Sequence, residues 1–166
     1  MSRVHFVGRS GSGKTTLIVE LVKHFTAQGL RVGTVKHTHH HHELDTPGKD
    51  SFRHREAGAA VVGILAPKMT AVFLPREPGA DSLDRYDSLE PHFASCDLVL
   101  VEGHAALAGR KIEVWRAELG VTPLAAEIPS IEAIISDDRP PLDKPVWPRR
   151  DLAEIARRVL EIAKST

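Results

Sequence analysis

The chain has 166 residues, Lys+Arg 22 against Asp+Glu 22, aromatic residues at 5% and one cysteine. A chain of this length is expected to fold as one domain burying about 70% of its unfolded surface, with no need of a metal or disulfide staple. Zero formal charge gives no sign of a nucleic-acid or anionic-membrane partner, few aromatics argue against a base-stacking surface, and the lone Cys96 excludes an internal disulfide framework. No signal peptide and no membrane-length apolar run is read, so a soluble cytoplasmic protein is expected.

The apolar run Val4 to Val7 predicts a strand, and it leads into a glycine-rich turn in which Gly8, Gly13, Lys14 and Thr15 satisfy G-x-x-x-x-G-K-[ST]. A loop wrapped round an anion must turn its N–H groups inward, and glycine permits the positive φ and close approach this needs. Gly8, Ser10, Gly11, Ser12, Gly13, Lys14, Thr15 and Thr16 therefore form a candidate phosphate cradle. Lys14 can reach β- and γ-phosphates, the Thr15 hydroxyl can ligate Mg²⁺, and the following helix turns its positive dipole end to the anion. That helix is predicted from Leu17, Ile18, Leu21, Val22 and Phe25 at helical spacing, with Gly29 closing it.

Arg31 to Lys36 predicts a second strand, and strand-helix-strand order implies a parallel crossover that sets His37 at a ligand-binding sheet edge. Residues 37–50 are polar, with Pro47 and Gly48, and read as a loop. Asp50 is expected to cap a short helix ending near Gly58, whereas Asp45 has no evident structural task and is the candidate Mg²⁺ ligand, with Asp50 its rival. Ala60 to Ala66 and Met69 to Leu74, separated by Pro67 and Lys68, predict an inserted hairpin whose apolar residues pack on this domain or on a second copy.

After a polar connection at 76–81, Leu83, Tyr86, Leu89 and Phe93 suggest a helix. Asp97 to Gly103 reads as a buried parallel strand ending in an acid, so Glu102 is a candidate metal or water-positioning carboxylate with a catalytic role beside Lys14. Strands are expected at Ile112 to Arg116 and Ala133 to Ile135, an extended proline-rich stretch at 140–148, and a last helix capped by Asp151 with a Leu152, Ile155, Val159, Ile162 stripe. The order predicts an α/β fold, a P-loop NTPase three-layer sandwich with a mostly parallel sheet and a hairpin inserted at about residues 60–74.

His37, His39, His40, His41 and His42 are ligand types that suit Zn, Ni or Cu, but neighbouring side chains in an extended loop point apart, and no cysteine completes a set. Metal binding, contact with phosphate or a partner by one or two of them, and a solvated loop are the open readings. His37, at the strand end, is a candidate contact to the bound cofactor.

VGRSGSGKTTL, followed by VKHTHHHHELDTPGKDSFRHREAGA, LVLVEGH and KIEVWR, closely resembles the molybdopterin-guanine dinucleotide biosynthesis protein B (MobB) family. The likeness covers most of residues 3–116, with a further trace in the strand ending at Ser136-Asp137; the long histidine run and His104 depart from the pattern. The resemblance implies a GTP- and Mg²⁺-binding protein with weak GTPase activity. It also implies a MobA-type molybdopterin guanylyltransferase as partner and a homodimer built through the hairpin. Guanine preference comes from the resemblance, since no Asn-Lys-x-Asp motif occurs; Asp137, or equally Asp138 by chemistry, could accept from guanine N1–H and N2–H. A metallochaperone GTPase using the histidine loop for Ni or Zn, and a small-molecule kinase, are the alternatives.

Overall fold

The structure is a computed structural model that describes residues 2–38, 43–74 and 86–164. The backbone contacts divide the chain into two compact units, Met1–Thr38 with Leu89–Thr166, and His39–Ser88.

The first unit is built on a six-stranded parallel sheet in the order β2-β5-β1-β6-β7-β8. Its strands are β1 (Arg3–Val7), β2 (Val32–Lys36), β5 (Leu98–Glu102), β6 (Arg110–Val114), β7 (Ile131–Ile135) and β8 (Val146–Trp147). Alternation sorts their side chains by face. Val4, Phe6, Leu98, Leu100, Ile112, Val114, Ala133 and Ile135 join one core with Leu17, Leu21 and Phe25 of α1 (Lys14–Ala27) and Ile155 and Val159 of α4 (Leu152–Lys164). Each fully buried Leu, Ile or Phe there contributes about 1.5–3 kcal/mol. Val7, Trp115, Ala125, Ile131 and Ile134 form a second cluster, joined by Leu124 from the single turn Leu124–Ala126. Asp151 caps α4, its Oδ1 accepting the Glu154 N–H at 3.0 Å.

Several boundaries differ from the sequence reading. The strand expected at 112–116 starts two residues earlier, at Arg110, and the proline-rich stretch contains β8, two residues that pair in parallel with β7. Two residues carry no readable period, which is why that strand was invisible. Among the described residues of the helix expected through Leu83 to Phe93, residues 86–89 form a turn and Glu90–Phe93 a helix, α3; Leu83 and the 76–81 connection lie outside the described residues. The Arg158 guanidinium lies 5.4 Å from the Trp147 ring and donates to the Glu154 carboxylate.

The second unit holds α2 (Asp50–Glu56) and the antiparallel hairpin of β3 (Val62–Ala66) and β4 (Met69–Phe73), closed by Pro67 and Lys68. Asp50 is the first helical residue and makes no capping bond, because Lys49 takes the cap position. Asp45 is the residue that ties loop to helix: its Oδ1 accepts Thr46 N–H at 2.7 Å and the Ser51 hydroxyl at 3.0 Å. Its Oδ2 is buried with no hydrogen-bond partner among the described residues.

Candidate phosphate and metal site

The glycine-rich turn follows β1 and runs into α1, as the motif requires. Gly8, Gly11 and Gly13 all have positive φ, and Gly13 in left-handed conformation starts the helix. Gly8 is also sterically fixed: a Cβ there would lie 2.4 Å from the Val114 carbonyl oxygen and 2.8 Å from Ser12 Oγ. The loop is thus pinned against β6 by a contact only glycine permits. Lys14 Nζ arches back over the turn and donates to the carbonyl oxygens of Gly8 at 2.9 Å and Arg9 at 2.7 Å. Burial holds its pKa below the ordinary lysine value, with the Glu102 carboxylate acting in the opposite direction.

Glu102 ends β5 beside β1, and its Oε1 accepts the Thr15 hydroxyl at 2.8 Å. Two oxygen groups 87 positions apart in sequence are thereby brought to one point at the foot of the loop. Lys36, at the end of β2 and in register with Glu102, places Nζ 4.0 Å from the same oxygen. Ser10, Gly11, Gly13, Lys14, Thr15, Thr16, Lys36 and Glu102 line a pocket of 410 Å³. On the other side of the loop, buried Ser12 shares a cavity of 180 Å³ with Trp115, Arg116, Glu118, Asp137, Asp138 and Arg149. Asp138 Oδ2 accepts the Ala117 N–H at 2.8 Å, whereas Asp137 Oδ1 accepts the longer Arg150 N–H at 3.1 Å.

The sequence profile described as Molybdopterin guanine dinucleotide synthesis protein B, MobB, matches residues 3–137. The chain belongs to the MobB family. It is 35% identical over 158 residues to the molybdopterin-guanine dinucleotide biosynthesis adapter protein of Escherichia coli K12, covering 94% of this chain and 90% of that one. The protein of the same description from Haemophilus influenzae is 41% identical over 112 residues, 68% of this chain and 62% of that one. The crystal structure of Bacillus subtilis MobB superposes with a TM-score of 0.73 at 25% identity, covering 97% of each chain. The parallel α/β sheet and small hairpin sheet are therefore those of MobB structures.

Within this MobB-family chain the structure gathers Gly8, Ser10, Gly11, Ser12, Gly13, Lys14, Thr15, Thr16 and Glu102 around one loop. Asp137 stands at its second cavity, reached through Ser12. His37 follows β2 and donates its N–H to the Glu102 carbonyl at 2.9 Å, so its backbone supports the acid. Asp45 belongs to the other unit, and His39 to His42 lie outside the described residues. Sequence reasoning missed Lys36 as a wall of the phosphate pocket, although its place at a strand end beside the loop could have signalled it. It also missed Glu113, a buried carboxylate that accepts the Leu124 and Ala125 N–H groups at 2.7 and 2.8 Å. Glu113 props the turn over the second cluster, and burial raises its pKa. Among the described residues no helix is long and apolar enough to cross a membrane.

Proposed function

We propose that the chain is a GTP- and Mg²⁺-binding adaptor that works beside the guanylyltransferase forming molybdopterin guanine dinucleotide, with weak GTP hydrolysis at most and in the cytoplasm. The observation that carries the nucleotide reading is the Thr15–Glu102 contact of 2.8 Å at the foot of a loop whose Gly8 tolerates no side chain. The adapter relatives carry the pathway reading.

The residues fit the implied groups. A small hard cation favours oxygen donors and keeps several waters, and Thr15 with Glu102 supplies one hydroxyl and one carboxylate. Mg²⁺, when bound, would neutralise charge building on the phosphate oxygens. The chain does the rest: loop N–H groups and the α1 terminus attract the anion, Lys14 turns from the Gly8 and Arg9 carbonyls toward phosphate, and Glu102 orients the metal or a water. Asp45 remains a proposed third donor on its chemistry, one buried carboxylate oxygen without a hydrogen-bond partner among the described residues. No observation favours the metallochaperone or kinase alternatives. The adaptor role is tested by reconstitution: molybdopterin, GTP and the guanylyltransferase should yield more guanine dinucleotide when this chain is added, and less of that gain with Lys14→Ala. An equal yield without the chain would remove the adaptor role.

Asp137 is the proposed guanine-reading acid, since Asp138 is already committed to the Ala117 N–H. A site that hydrogen-bonds a base edge rejects a base lacking the donors. Asp137→Ala should narrow the preference for GTP over ATP about tenfold, measured as paired dissociation constants. An unchanged ratio would move the base elsewhere.

A homodimer through the hairpin is proposed on its exposed apolar side chains, with Leu65 at 87% and Met69 at 73% exposure. Val62 of the same hairpin is buried within the chain and is no probe of that interface. Leu65→Lys and Met69→Glu, each alone, should shift a dimeric parent toward monomer by light scattering. A monomeric parent at micromolar concentration, or two dimeric variants, would exclude this interface.

A further inference from the structure

The ends of β2 and β5 carry a device that the phosphate reading leaves unexplained. The two strands stop in register at Lys36 and Glu102, and the ladder is continued by one bond, from His37 N–H to the Glu102 carbonyl at 2.9 Å. Beyond Glu102 the chain turns through two successive left-handed residues, Gly103 at φ 90° and His104 at φ 64°. Among the described residues His104 is the only one other than glycine with positive φ. Left-handed backbone disfavours a side chain, and strain of this kind collects where a neighbouring structure requires it. The turn lays the His104 ring on the His37 ring, with centroids 3.9 Å apart and planes 6° from parallel. That is closer than the roughly 4.5–7 Å usual for aromatic pairs. Glu102 lies between the two points of attachment, its carbonyl bound to His37 and its carboxylate to Thr15.

We propose that His104 is a positioning residue of the phosphate site: its ring, stacked on His37, locks the ends of β2 and β5 together and so fixes the Glu102 carboxylate against Thr15. It rests on the reading of Glu102 as a metal or water ligand for its functional consequence, but not for the lock itself. The lock acts through ring surface, so an apolar aromatic ring should replace it. Neither a methyl group nor a relaxed backbone should.

Three variants separate these contributions. His104→Phe keeps the ring, His104→Ala keeps the backbone preference without the ring, and His104→Gly relieves the strain without the ring. In the nucleotide-free protein, amide hydrogen exchange at His37 should accelerate at least about tenfold in the Ala and Gly variants and stay near the parent rate in Phe. In GTP turnover, the Mg²⁺ concentration for half-maximal rate should rise about tenfold in Ala and Gly, as for loss of a group that orients a metal ligand, and little in Phe. Thermal unfolding of each variant identifies any that fails to fold, and the Phe variant keeps the test open in that case. A Phe variant that behaves like Ala, a Gly variant that behaves like the parent, or an Ala variant with unchanged His37 exchange would each overturn the lock. Faster exchange in Ala with no change of Mg²⁺ dependence there or in Glu102→Gln supports the lock and overturns the metal reading instead.

Discussion

Lys14→Ala is expected to weaken GTP binding at least about tenfold, the equivalent of 1.4 kcal/mol, because a hydrogen bond from a charged group is worth about 1.5–3 kcal/mol. The side chain sits where this loss cannot be made up. Its Nζ is already drawn over the loop by the Gly8 and Arg9 carbonyls, within reach of any anion the turn encloses. Removing it leaves the terminal phosphate facing backbone dipoles alone. The change falls on binding, not on folding, since the loop is pinned by the Gly8 contact with β6. Calorimetry with Mg²⁺ present checks it, and equal dissociation constants for variant and parent would sink the phosphate-cradle assignment.

Glu102→Gln is expected to reduce GTP hydrolysis about a hundredfold while changing nucleotide affinity much less. Glutamine keeps the length and can still accept from the Thr15 hydroxyl, so the 2.8 Å contact need not be lost. What it lacks is the charge, which a hard cation or an attacking water requires and the ground-state nucleotide does not. Turnover and affinity measured on the same preparation separate the two effects. Equal losses in both would mean that Glu102 only binds. Asp45→Asn and Asp50→Asn belong in the same series: a raised Mg²⁺ requirement in the Asp50 variant alone would move the third donor five residues along the chain, to the start of α2.

What was legible in the sequence was whatever repeats or is sterically forced. The phosphate loop could be placed because three glycines and a lysine at fixed spacing have few alternative uses, and β5 because four apolar residues before Glu102 can only be buried on both faces. The helices α1 and α4 showed their stripes, and the hairpin showed two β-rich runs around Pro67. The roles of single polar residues in loops were not legible. Asp45 looked idle but accepts two hydrogen bonds, and Asp50 looked like a cap but stands inside the helix, because capping depends on one residue of register that sequence does not fix. The convergence of Thr15 with Glu102 was predicted from topology, since both follow parallel strands at one sheet edge. The His37–His104 stack was not, because nothing in a histidine's sequence neighbours reports a left-handed turn 67 residues away.

The most direct measurement is a calorimetric titration of GTP into the purified protein, first with Mg²⁺ and then with EDTA, each repeated with ATP. Saturable GTP binding that tightens with Mg²⁺ and exceeds ATP binding is the predicted result. No saturable heat with GTP, or an affinity that is the same with EDTA and with ATP, would contradict a GTP–Mg²⁺ site at Lys14, Thr15 and Glu102.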